Sequence, residues 1–133
     1  MTDEKRGFGI FLTFSGECAQ ALKYYKKCFG GDLLLQTMAD EYSGMYLDKQ
    51  MRDVVISATL TNNYFKLVAT DLTGDAGIVI GNNISILVEC ASLNERDRFT
   101  SFLSDQKSAY SQNHDKLISV LDRYNINWIL SIK

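Results

Sequence analysis

Apolar and polar positions along this chain follow two periods, one near 3.6 and one of 2, and the two arrive in the same order twice. Residues 7 to 14, Gly-Phe-Gly-Ile-Phe-Leu-Thr-Phe, make a mostly apolar run expected to be a strand, and Ser15 is placed to cap a following helix by accepting from its orphan amides. In that helix Cys18, Ala21, Leu22, Tyr25, Cys28 and Phe29 fall on one face, while Lys23, Lys26 and Lys27 face water. The last two lysines suit the negative end of the helix dipole, and Gly30 and Gly31 supply the left-handed backbone that stops it. Strands are expected at 32 to 38, 53 to 61 and 64 to 70, with Asn62-Asn63 as a tight hairpin and a polar, glycine-bearing loop at 39 to 50.

A turn-rich connector, residues 71 to 83, leads to a second half in the same order. It opens with an apolar strand at 83 to 91, followed by a helix that starts at Ser92-Leu-Asn-Glu95, a capping box signature, and carries Phe99, Phe102 and Leu103 on its apolar face. Strands are expected at 107 to 111, 117 to 121 and 126 to 132, with Asp122-Arg-Tyr-Asn125 as the last turn. The halves share no obvious residue identity, so the repeat is one of element order: strand, helix, three strands. The expectation is one α+β domain over residues 1 to 133, with modules at about 7 to 71 and 82 to 133.

Period two assigns faces. Ile84, Ile86, Val88 and Cys90 oppose Asn83, Ser85, Leu87 and Glu89; Ile126, Trp128, Leu130 and Ile132 oppose Asn127, Ile129 and Ser131; Phe65, Leu67 and Ala69 oppose Tyr64, Lys66, Val68 and Thr70. Each of these strands has a dry face expected under a helix and a mixed face that is either solvated sheet or the lining of a cleft.

Composition narrows the function classes. With 46% hydrophobic residues in 133, the chain can bury roughly two thirds of its unfolded surface. A net charge of -2 gives no broad positive field, so neither nucleic acid nor membrane is an expected partner. No apolar run is long enough to span a bilayer, and the polar start lacks a signal-type core, so a cytoplasmic location is expected. Cys18, Cys28 and Cys90 form no CxxC pair and leave an odd thiol, which argues against disulfides and structural zinc and for reduced, buried side chains.

Other constellations read as ordinary surface or core. Asp40-Glu41 with Asp48 could serve acid and base chemistry only in a cleft that shifts their pKa values, and a charged loop is the simpler reading. Glu95-Arg-Asp-Arg98 reads as the solvated face of the second helix, and His114 as a solvated loop residue. The connector lacks the glycine spacing and lysine of a phosphate loop. Among the tyrosines, Tyr64 is best placed to stack on a planar ligand.

Leu12-Thr-Phe-Ser-Gly16, Ala21-Leu-Lys-Tyr-Tyr25 and Phe29-Gly-Gly31 together resemble the opening of PhnB-like proteins of the vicinal oxygen chelate superfamily, alongside glyoxalases and bleomycin resistance proteins. Asp122-Arg-Tyr-Asn-Ile-Asn-Trp128 is similar to their closing Asp-Pro-Phe-Gly-x-x-Trp, with Arg123 and Asn125 in place of proline and glycine. Asp71 at a strand end and Gly81-Asn-Asn-Ile-Ser85 at the entry to the second half are also similar. The resemblance implies paired βαβββ modules in a cupped eight-stranded mixed sheet with helices on the convex face, a homodimer, and a small-molecule cavity on the concave face.

Metal-dependent members of the superfamily hold a divalent ion with His and Glu on the first, fourth, fifth and eighth strands. By rough register those positions are Ile10, Tyr64 or Lys66, Asn83 and Ile129, none of them a good ligand. No metal, cofactor or catalytic residue is therefore expected. The resemblance implies instead a small organic ligand bound or sequestered by Tyr64, Lys66, Asn83, Ser85, Asn127 and Ile129. The alternatives are a metal-dependent lyase or dioxygenase with ligands at other positions, and a protein-interaction module without a ligand. The methyltransferase label of some relatives has no glycine-rich strand-turn-helix here to support it.

Overall fold

A computed structural model describes residues 7, 9–75, 77–104, 110–114 and 116–132. The chain divides into two compact units, Met1–Ile78 and Val79–Lys133, and the division falls inside the connector.

In the first unit the elements run β1 (Ile10–Thr13), α1 (Cys18–Phe29), β2 (Asp32–Thr37), α2 (Met38–Glu41), α3 (Lys49–Arg52), β3 (Val55–Thr61) and β4 (Lys66–Thr70). The sheet order is β1-β4-β3-β2, with β1 parallel to β4 and the other pairs antiparallel. Helix α1 lies against β2, β3 and β4 and buries Cys18, Ala21, Leu22, Tyr25 and Phe29 on Ala58, Leu60, Leu67 and Ala69. Truncating a fully buried leucine such as Leu22 to alanine costs about 2–5 kcal/mol. Gly31 ends the α1 turn at φ +112°, where a side chain would also meet the Thr61 carbonyl.

The start of α1 departs from the sequence expectation. The N-cap is Glu17 and no side chain of its own segment caps the helix. Asp71, 53 residues from Cys18, does so instead: its Oδ1 accepts from the amides of Gly16 (2.9 Å) and Cys18 (3.0 Å), and its Oδ2 from Val55 N (3.0 Å). One carboxylate thus joins the end of β4, the start of β3 and the first turn of α1. The predicted polar loop at 39 to 50 holds two short helical turns, α2 and α3, rather than loop throughout.

The second unit contains β5 (Ile86–Cys90), α4 (Leu93–Ser104), β6 (Tyr110–His114), β7 (Leu117–Leu121) and β8 (Asn127–Ile132), in sheet order β5-β8-β7-β6. Strand β5 is parallel to β8, so both units repeat one α+β topology. Helix α4 packs on β5, β7 and β8 and covers Val88, Val120, Trp128 and Leu130 with Phe99 and Leu103. The predicted capping box forms one residue out of step: Ser92 Oγ accepts from Glu95 N, while Glu95 Oε1 accepts from Ala91 N.

Several expectations for this unit are corrected. Arg96 is buried, at 3% exposure, rather than on a solvated face; Thr100 and Ser104, four and eight residues on and so on the same side of α4, are buried too. Ile84 is 78% exposed because β5 begins only at Ile86. His114 ends a strand instead of lying in a loop, and the part of the expected strand at 107 to 109 lies outside the described residues.

The closing turn is built on Asp122. Its Oδ1 accepts from Tyr124 N (2.7 Å) and Ile126 N (3.1 Å), and its Oδ2 from the Trp128 indole (2.8 Å). Asn125, where the resembled motif has glycine, takes φ 67°. Asparagine is one of the few residues that enters this region readily.

Candidate functional site

In each unit the helix covers one face of the sheet, and strand register fixes which residues remain on the other. Across the first sheet Leu34, Thr59, Val68 and Phe11 form one row, with Leu34 74% and Phe11 64% exposed. A second row holds Asp32, Thr61 and Lys66. In the second sheet Leu87, Ile129 and Ser119 share a row, Glu89, Ser131 and Leu117 another, and Asn127 pairs with Leu121. These faces mix apolar, hydroxyl, amide and charged groups, while the opposite faces carry the buried Ala58, Leu60, Leu67, Ala69, Val88, Val120, Trp128 and Leu130.

The expected ligand-binding residues divide between strand and turn. Lys66 is exposed at the start of β4. Tyr64 precedes that strand in the Asn62 turn, where Asn62 Oδ1 accepts from the amides of Tyr64 (2.9 Å) and Phe65 (3.1 Å). Its ring leans on Phe29 at the end of α1, 6.2 Å between centroids, so it sits toward the helix side. Asn83 and Ser85 are exposed and lie ahead of β5 rather than within it. Asn127 and Ile129 are half-buried neighbours on the uncovered face of β8. Sequence reading missed Phe11, Leu34, Thr59 and Ser119 on these faces, since cross-strand pairing, not local alternation, assembles the rows.

The same register tests the metal positions that the sequence resemblance implies. Ile10 pairs with buried Leu67 and belongs to the helix side; the uncovered residues of β1 are Phe11 and Thr13. Asn83 falls outside β5, whose uncovered residues are Leu87 and Glu89. Phe11, Lys66, Leu87 and Ile129 have no lone pairs for a divalent ion, and a lone Glu89 does not make a ligand set. These residues do not fit a bound metal. Among the described residues no group of three His, Cys, Asp or Glu side chains could hold one.

The remaining reactive groups have other duties. Burial, reinforced by the Asp71 carboxylate, pushes the Cys18 thiol up to about 12. Burial raises Cys90 to about 11, helped by Glu95 and opposed by Arg96. Both thiols are held protonated and are poor nucleophiles at neutral pH. Asp40 accepts from Thr37 N in a capping box at α2, which holds its carboxyl below the usual range, and Asp48 caps α3 by accepting from Met51 N. Glu41 accepts from the Gln36 side-chain amide. These three carboxylates hold local turns together.

The fold is shared with several solved structures. Protein PA1353 from Pseudomonas aeruginosa is 20% identical with a TM-score of 0.74, over 96% of this chain and 98% of that one. The PhnB protein from Bacillus cereus is 21% identical with a TM-score of 0.73, over 96% and 100%. The fosfomycin resistance protein FosX from Listeria monocytogenes is 11% identical with a TM-score of 0.65, over 96% and 91%. No protein-family model and no curated protein matches the chain. The fold likeness therefore coincides with the PhnB-like resemblance read from the sequence. Among the described residues no helix is long and apolar enough to cross a membrane.

Proposed function

We propose that this chain is a PhnB-like, single-domain, cytoplasmic homodimer that binds or sequesters a small organic molecule without a metal. The resemblance implies a cupped eight-stranded sheet, and the uncovered face of each four-stranded sheet is the surface proposed to take the ligand. What carries the reading is the chemistry of those faces. Lys66 offers an ammonium to a carboxylate or carbonyl, Asn127 and Ser119 offer hydrogen bonds, and Ile129, Leu87 and Phe11 offer apolar contact. Tyr64, Asn83 and Ser85 lie at turns that border them. Such a face can recognise a ligand and has little means of turning it over, because its described residues pair no activated nucleophile with a base.

Native mass spectrometry of the purified chain tests this directly. The expected result is a dimer with a retained small molecule that is lost on Lys66→Ala or Ile129→Asp substitution, in protein that keeps its far-UV circular dichroism. Stoichiometric, tight binding of zinc, nickel, iron or manganese in equilibrium dialysis would refute the metal-free reading.

A further inference from the structure

Beside α1 the first unit has a groove that the ligand-binding reading leaves unused. It is an open groove with a volume of about 570 Å³, lined by Lys23, Lys26, Lys27, Leu33 and Leu35. The lysines stand at i, i+3 and i+4, so their side chains share one side of the helix. No described carboxylate forms an ion pair with any of them. Leu33 and Leu35 are only half-buried, because α1 does not reach fully over the edge of the sheet.

That edge is β2. Among the described residues it ends the sheet order and pairs only with β3, with regular register from Asp32 to Gln36 and a bulge between Gln36 and Thr37. In an antiparallel edge strand, alternate residues direct their N–H and C=O groups away from the sheet. Cationic rail, apolar floor and open strand edge therefore run side by side. On the opposite face of the same strand Leu34 is 74% exposed.

We propose that this edge takes an extended acidic peptide segment as an added strand, with carboxylate and apolar side chains in alternation. Main-chain bonds to β2 supply the pairing, and alternate side chains of the incoming strand point to opposite faces. Those on the α1 side lay their methylenes over Leu33 and Leu35 and bring carboxylates to Lys23, Lys26 and Lys27, which favours glutamate there. Those on the other side cover Leu34, which favours valine or leucine. Charge complementarity selects this occupant over a basic or neutral segment.

The test is fluorescence anisotropy of the full chain with a short labelled peptide alternating glutamate with valine. Saturable, salt-sensitive binding is expected. The Lys23→Glu, Lys26→Glu, Lys27→Glu triple variant should weaken it by about tenfold or more, with unchanged circular dichroism because all three side chains are exposed. N-methylation of alternate amides in the peptide should weaken it comparably, since it removes strand pairing and leaves the charge. No binding overturns the proposal. So does equal binding of a lysine-valine peptide, undiminished binding of the N-methylated peptide, or equally effective competition by duplex DNA or phosphatidylserine vesicles.

Discussion

Replacing Asp71 by alanine should destabilise the protein by about 3 kcal/mol, and the structure shows where that figure arises. The carboxylate accepts three backbone amides, from Gly16, Cys18 and Val55. Val55 is fully buried, so its orphaned amide costs about 1–3 kcal/mol. Loss of the bond to Cys18 removes the cap of α1, worth about 1 kcal/mol, and the negative charge at the positive end of the helix adds about 0.5 kcal/mol. The Gly16 amide is exposed and can bond to water, so it contributes little. Asn at position 71 keeps one acceptor oxygen and should lose about half as much. Ser15→Ala is the paired control: Ser15 caps by sequence pattern but not in the structure, and its loss should cost less than about 0.5 kcal/mol. Urea unfolding followed by far-UV circular dichroism measures all three variants. If Ser15→Ala costs as much as Asp71→Ala, or Asp71→Ala costs less than about 1 kcal/mol, the long-range cap is refuted.

Gly31→Ala should cost about 3 kcal/mol or more, since φ is +112° and the added Cβ would lie 2.8 Å from Asn62 Cβ as well as against the Thr61 carbonyl; a wild-type urea midpoint would contradict it. Asn125→Val should cost about 1–2 kcal/mol at φ 67° and Asn125→Gly should be neutral or slightly stabilising, an order that thermal unfolding can reverse or uphold. Cys18 and Cys90 titrate near their ordinary value of 9.0 when unfolded and at about 12 and about 11 when folded. The unfolded chain therefore releases these protons first. The stability they contribute is fully present below pH 9 and falls as pH rises from 9 toward 11 and 12. Each thiol should contribute a slope of about 1.4 kcal/mol per pH unit once it is ionised in the unfolded chain. A Cys18→Ala, Cys90→Ala variant should show a flatter alkaline loss, and an identical slope in both proteins would disprove the assignment.

Much of the fold was legible because it is written in near neighbours. Residue steps of three and four placed α1, the Ser92 and Glu95 pair placed the start of α4, and alternation separated Val88, Trp128 and Leu67 from Leu87, Ile129 and Lys66. The candidate site was legible only in part. Alternation predicts the two faces of a strand but not where the strand begins, which is why Asn83 and Ser85 fall in the approach to β5 and Ile10 belongs to the covered side.

By itself the sequence determined the two long helices and most strands, their twofold order and their apolar faces, since these depend on backbone periods and turn chemistry within a few residues. Tertiary structure alone decided that Asp71, not Ser15, caps α1, that Arg96 on α4 is buried, and that β2 is left as an edge beside three lysines. Each of those outcomes depends on which segments pair across the sheet. That pairing is set by burial and hydrogen-bond satisfaction over the whole unit, at sequence distances no local pattern can register.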